Sequence, residues 1–127
     1  MASADSLLSV HTPICLPNLG DDFTQFSSVM TGWGINVSST IDEETPFVNI
    51  LQEITLPITT YDTCNTFVNT LIGNEQPVAY SGILCVGNGE EKGGCRGDSG
   101  GPIIVQKPGQ TSWTLAGVIS CEIDFTN

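Results

Sequence analysis

The chain has 127 residues, 39% of them hydrophobic and 13% charged, which is long enough to bury one core and too apolar for a disordered tail. Fourteen acids stand against Lys92, Arg96 and Lys107, a net charge of −11, which repels both nucleic acid and anionic membrane surfaces and so argues against either as a partner. No run reaches the length of a membrane span, and MASADSLLSVHTPI at the start lacks the basic opening and sustained apolar stretch of a signal peptide.

In chain order, Gly and Pro punctuate short segments, and no repeat or domain boundary interrupts residues 1–127. Asn36-Val37-Ser38 is a glycosylation sequon at Asn36, placed in a loop. The acids of Asp42-Glu43-Glu44 and of Glu90-Glu91 read as solvated loops. Residues 51–58 alternate, with Ile54, Leu56 and Ile58 on one face, and predict a strand. Thr59 followed by Asp62 resembles a capping box, and Cys64, Phe67, Val68 and Leu71 recur at helical spacing until Gly73-Asn74 supplies a stop. The β-branched and aromatic content of ILCVG (83–87), PIIVQK (102–107) and WTLAGVIS (113–120) predicts further strands. Lys107-Pro108-Gly109-Gln110 is the turn joining the last two. The expected class is all-β, a small antiparallel barrel or sandwich with one short helix.

Five cysteines in so short a chain suggest a disulfide framework and an oxidising compartment. None lies in a CxxC pair and His11 is the sole histidine, so no structural zinc site, metal or other cofactor is expected. An odd count leaves at least one thiol free or paired outside the chain. Disulfide-type cysteines without an export signal leave two readings: reduced thiols in a cytosol, or an N-terminus that begins further upstream.

GGCRGDSGGPIIV, residues 93–105, carries the chemistry. A serine hydroxyl becomes a nucleophile only when a base takes its proton, and the oxyanion it creates needs N–H donors already in place. Glycines around Ser99 permit backbone conformations closed to other residues and let a carbonyl approach those donors. An α/β-hydrolase elbow has the same G-x-S-x-G form, but it needs a helix after the serine and a histidine downstream. Ile103, Ile104 and Val105 favour a strand instead, and no histidine follows Ser99. Arg96-Gly97-Asp98 also reads as an adhesion triplet, but such ligands sit on exposed, flexible tips, and this one lies between Cys95 and a strand.

GGCRGDSGGPIIV resembles the active-serine segment of the chymotrypsin/trypsin family of serine peptidases. TPICLP (12–17), VMTGWG (29–34), LQEITLPI (51–58), TCN around Cys64, GILCVG (82–87) and WTLAGVIS (113–120) resemble the family in the same order. The resemblance implies a chymotrypsin-like antiparallel β-barrel, mostly the second of two, making 1–127 a partial peptidase domain truncated at both ends. It implies that Ser99 is the nucleophile and that the N–H groups of Gly97 and Ser99 form the oxyanion hole. Asp98 would be buried and would pair with the new N-terminus of a cleaved zymogen. Cys64 would pair with Cys85, a bridge worth about 3 kcal/mol on chain-entropy grounds. Cys15 would bridge to a preceding segment, a missing N-terminal barrel that is in one reading a separate chain. Cys95 and Cys121 are the remaining candidates for a bridge. Many family members carry a cysteine pair where this chain has Ser28 and Val105, so that bridge is lost as a unit.

The family's catalytic histidine and aspartate both precede the serine, and His11, in SVHTPICLP, lacks the context of the former. Cys121 and Glu122 replace the usual tryptophan and glycine of the cleft. The resemblance implies that Gly93 lies at the base of the specificity pocket, where glycine suits an apolar or small side chain, and that Glu122 on the wall would narrow the pocket or attract a base. The resemblance and the cysteine usage imply a secreted serine endopeptidase acting on protein or peptide substrates, and the missing histidine implies that residues 1–127 are inactive alone. The alternatives are an inactive protease homologue serving as a binding module and, remotely, an adhesion ligand.

Overall fold

The computed structural model describes residues 12–35, 48–72, 82–87, 93–94 and 96–120, with the backbone alone at Leu71 and Ile72. Four strands, β1 (Ser27–Gly32), β2 (Gln52–Pro57), β3 (Pro102–Gln106) and β4 (Trp113–Val118), and one helix, α1 (Tyr61–Ile72), form its regular structure. The strands make one sheet in the order β2-β1-β3-β4, antiparallel throughout. The domain is therefore mainly antiparallel β with one short helix, as a chymotrypsin-like barrel requires.

β1 is the strand that residue pattern alone does not announce. Its inward positions are Ser28 and Met30, and a serine at a core position breaks the apolar alternation by which strands are read. Ser28 is wholly buried because its hydroxyl donates to the Leu56 carbonyl at 2.8 Å, which removes the cost of an unpaired buried polar group. Val105 of β3 stands directly opposite Ser28 and is equally buried. Positions 28 and 105, where the resemblance implies an absent bridge, are thus neighbours across the sheet.

The β3–β4 hairpin follows the turn chemistry of its sequence. Pro108 and Gly109, the latter at φ 77°, occupy the two central positions, and Gln110 N–H donates to Lys107 O at 3.0 Å. Ile103 faces Gly117 while Ile104 faces Leu115, so Ala116 is an extra residue that bends β4. The chain near Cys15 runs along the outer edge of β4, with Cys15 N–H donating to Trp113 O and Leu115 N–H to Cys15 O.

Residues 83–87, expected as a strand, make a single bridge, Val86 to Ile58, at the end of β2. From there Leu84 reaches the opposite end of the sheet, where its Cδ2 lies 3.2 Å from the place a side chain on Gly117 would fill. The 82–87 segment thus spans from the β2 end of the sheet to β4, as the closing side of a barrel does. Two adjoining clusters fill the interior, Met30, Leu56, Ile103 and Ile119 in one and Phe23, Ile58 and Val105 in the other; Leu84, Val86 and Ala116 pack against both.

The helix begins one residue later than the capping box suggests. Thr60, not Thr59, is the cap: its Oγ1 accepts from Thr63 N–H at 3.1 Å, and its carbonyl accepts from Cys64 N–H. Thr59 is drawn instead into the pairing with the 82–87 segment, donating its N–H to Cys85 O at 2.9 Å. Cys64 and Cys85 are bridged, with Cα atoms 6.1 Å apart, which ties α1 to that segment. No helix among the described residues is long and apolar enough to cross a membrane.

Candidate active site

Residues 96–101 form a turn that leads into β3, and backbone hydrogen bonds fix it at three places. Ile35 N–H donates to Arg96 O at 3.0 Å, tying its start to the exit of β1. Gly101 N–H donates to Asp98 O at 2.9 Å and closes the turn on itself. Gly100 N–H donates to Ile119 O and Ile119 N–H to Gly101 O, tying its end to the residue that follows β4. Gly97 at φ 101° and Gly100 at φ 86° adopt the left-handed conformation that side chains disfavour.

Ser99 is exposed at the tip of this turn. Among the described residues, the N–H groups of Gly97 and Ser99 enter no backbone hydrogen bond, whereas those of Gly100 and Gly101 are both taken. Two donors two residues apart that no backbone carbonyl among the described residues occupies, on a backbone held from both ends, have the spacing an oxyanion site uses.

Asp98 points the other way. Its Oδ1 accepts from Gly34 N–H at 2.8 Å, and the carboxylate lies against the backbone of Gly32 and Gly34. A side chain on Gly32 would collide with Oδ1, and one on Gly34 would place Cβ 2.5 Å from Oδ2. The GWG of the sequence is therefore a fitted seat for this carboxylate, with Trp33 left exposed between its glycines. The residue is part-buried, at the wall of a cleft of about 360 Å³ whose apolar lining includes Met30, Ile35, Ile54 and Ile119. Gly93 opens onto the same cleft. With its acid turned back onto Gly34, the Arg96-Gly97-Asp98 triplet does not present both charges outward as adhesion requires.

Other sequence-derived candidates separate. Cys15 is a free, exposed thiol. Cys95, Cys121, Glu122 and the sequon at Asn36 lie outside the described residues, as does His11. The seat at Gly32 and Gly34 was legible in sequence only as part of the VMTGWG resemblance, since nothing local marks a glycine pair as receiving a carboxylate from 64 residues away.

The family model described as Trypsin matches residues 3–126. Among curated proteins, the chain is 34% identical over 110 residues to ovochymase-2 of Mus musculus, covering 85% of this chain and 17% of that protein. It is 36% identical over 111 residues to the serine protease filzig of Drosophila melanogaster, covering 85% of this chain and 6% of that protein. The clotting factor G beta subunit of Tachypleus tridentatus is 31% identical over 113 residues, covering 85% of this chain and 35% of that protein. The chain thus spans about a third or less of the length of each of these relatives.

Proposed function

Because the chain belongs to the trypsin family, we propose that it is the nucleophile-bearing part of a secreted serine endopeptidase. The observation that carries this reading is the turn itself, with Ser99 exposed and with the N–H groups of Gly97 and Ser99 met by no backbone carbonyl among the described residues. Ser99 Oγ attacks the carbonyl carbon of the scissile peptide bond while a base takes the hydroxyl proton. The carbonyl oxygen becomes an oxyanion held by Gly97 and Ser99 N–H. Collapse expels the amine, which receives the proton from the base, and leaves an ester on Ser99 that water hydrolyses in a second round.

The base and its orienting acid come from a first barrel outside this stretch, joined in one reading through Cys15. Asp98 serves activation: its carboxylate beside an apolar cleft suits an N-terminal ammonium that carries an apolar side chain. Gly93 on that cleft, with Cys121 and Glu122, sets the side chain accepted before the cleaved bond, a small or apolar one. The Cys64–Cys85 bridge supports an oxidising compartment, and peptide or protein is the substrate class.

The test is covalent labelling. Residues 1–127 alone are expected to hydrolyse no peptide and to react with a fluorophosphonate only slowly, because removing the base leaves a small remnant of catalysis. Rapid stoichiometric labelling of Ser99 in that chain would sink the division of labour. In the protein that supplies the base, labelling is expected to be fast and to vanish in Ser99→Ala. Failure to label there would make the chain a binding module.

A further inference from the structure

We infer that Met30 is an oxidation site: hydrogen peroxide entering the Asp98 cleft converts its thioether to the sulfoxide, which loosens the hold of β1 on the Ser99 turn. The consequence for catalysis rests on reading that turn as the active site, whereas the modification itself does not. Met30 is one of two methionines in the chain, the other being Met1. It lies in β1, two residues before Gly32 in the seat of Asp98. It is 7% exposed and packs with Leu56, Ile103 and Ile119. The same side chain lines the cleft beside Asp98. Gln52 and Glu53, both exposed, line that cleft too, so it reaches solvent. A reagent little larger than water therefore has a path to a group that the core otherwise shields.

Position makes the sulfur matter. The Met30 Cε methyl lies 2.9 Å from the place a side chain on Gly94 would fill, and the sulfur is one bond from that methyl. Gly94 stands two residues before Arg96, whose carbonyl accepts from Ile35 N–H at 3.0 Å. Met30 thus joins the two stretches, 30–35 and 94–98, that fix the start of the turn. In the reaction the sulfur takes one oxygen from hydrogen peroxide and gives up two electrons, and the other peroxide oxygen leaves as water. A flexible apolar group becomes a polar one. Leu56, Ile103 and Ile119 offer its oxygen no side-chain donor, and a buried acceptor left unpaired is costly. The oxygen reaches water only by turning into the cleft, where Gly94 lies against the methyl and must give way.

The experiment treats the 127-residue chain with hydrogen peroxide, maps sulfoxide at position 30 by peptide mass, and compares amide hydrogen exchange before and after. Because oxidation follows exposure, Met30 of the folded chain is expected to oxidise at no less than about a tenth of its rate in urea. Gly34 and Ile35 N–H, bonded to Asp98 Oδ1 and Arg96 O, are expected to exchange about tenfold faster or more in the sulfoxide form. Gln110 N–H, in the hairpin turn at the far end of β3, is expected to change little. Methionine sulfoxide reductase is expected to restore slow exchange, and Met30→Leu, which keeps the Cys15 thiol, to show no change on peroxide treatment. Oxidation confined to urea, unchanged exchange at Gly34 and Ile35, an equal rise at Gln110, or the same response in Met30→Leu would each overturn the inference. In the longer protein, fluorophosphonate labelling of Ser99 is expected to slow about tenfold on oxidation, in step with the exchange. Labelling unchanged by the sulfoxide would also overturn it. A longer protein that fails to label before any treatment sinks the peptidase reading instead, and the exchange results decide this inference without it.

Discussion

Gly34 bears two demands at once: its N–H holds the Asp98 carboxylate, and its missing side chain leaves the space that carboxylate fills. Gly34→Ala forces Cβ to within 2.5 Å of Oδ2, so the variant either loses the bond or shifts β1. The expected cost is about 1–3 kcal/mol, typical of inserting a methyl into a packed site, read as a lower urea midpoint. Gln25 shows the opposite case, a residue in a conformation that does not suit it. At φ 67° it is left-handed, held there because its N–H donates to Ile58 O at 2.8 Å. That conformation costs an L residue about 1–2 kcal/mol, and glycine returns roughly 0.5–1 of this through its looser unfolded chain. Gln25→Gly is therefore expected to stabilise the chain by up to about 1 kcal/mol; a lower midpoint would show that the side chain itself contributes. At Asp21 the Lys107 amine and then the Asn18 N–H hold the carboxyl below its ordinary value. The sign follows: that contact stabilises above about pH 4 and is lost as pH falls through the depressed value.

At the scale of elements, β1 and β3 carry the candidate site because they lie side by side at the sheet's centre, with the Ser99 turn leading into β3 and the Asp98 seat at the end of β1. What joins them is shallow in sequence and strong in space. Ser28 and Val105 are direct partners across this junction and both are fully buried. Replacing both by cysteine is expected to form a bridge on oxidation, since opposed residues on antiparallel strands have Cα atoms about 4.5–5.5 Å apart. Closing so long a loop adds about 4 kcal/mol in the chain-entropy model. Peptide mapping that finds both introduced thiols, at 28 and 105, unreacted after oxidation would contradict the register. The helix depends less on its own propensity than on what pins it, namely the Thr60 cap, buried Val68 and the Cys64–Cys85 bridge.

For the molecule as a whole, the described sheet leaves apolar side chains uncovered, among them Leu16 at 73%, Ile50 at 76% and Val118 at 56% exposure. Single exposed apolar residues are ordinary, but these accompany strand edges that the segments near Cys15 and Val86 cover only in part. The isolated chain is expected to bind an environment-sensitive hydrophobic dye and to self-associate as its concentration rises, despite the charge of −11. A sharp melt with no dye signal and a monomer mass by sedimentation would oppose that expectation.

Residue order alone determined the class, the helix and the hairpin turn, and it marked Ser99 as the candidate nucleophile. Those features are local: alternation at 51–58, a Pro-Gly turn, and glycines crowded around one serine. Through resemblance it also named the Cys64–Cys85 bridge, which no spacing rule supplies. Tertiary structure decided what depends on distant partners. Ser28 lies in a core strand only because Leu56 offers it a carbonyl, and Thr60 becomes the cap because Cys85 draws Thr59 into another pairing. Asp98 turns inward because Gly32, the last residue of β1, and Gly34 just beyond it vacate its space, and Gly34 donates to it. A polar or charged group takes the position where its hydrogen bonds are satisfied, and which atoms satisfy them is known only once the chain has folded back on itself.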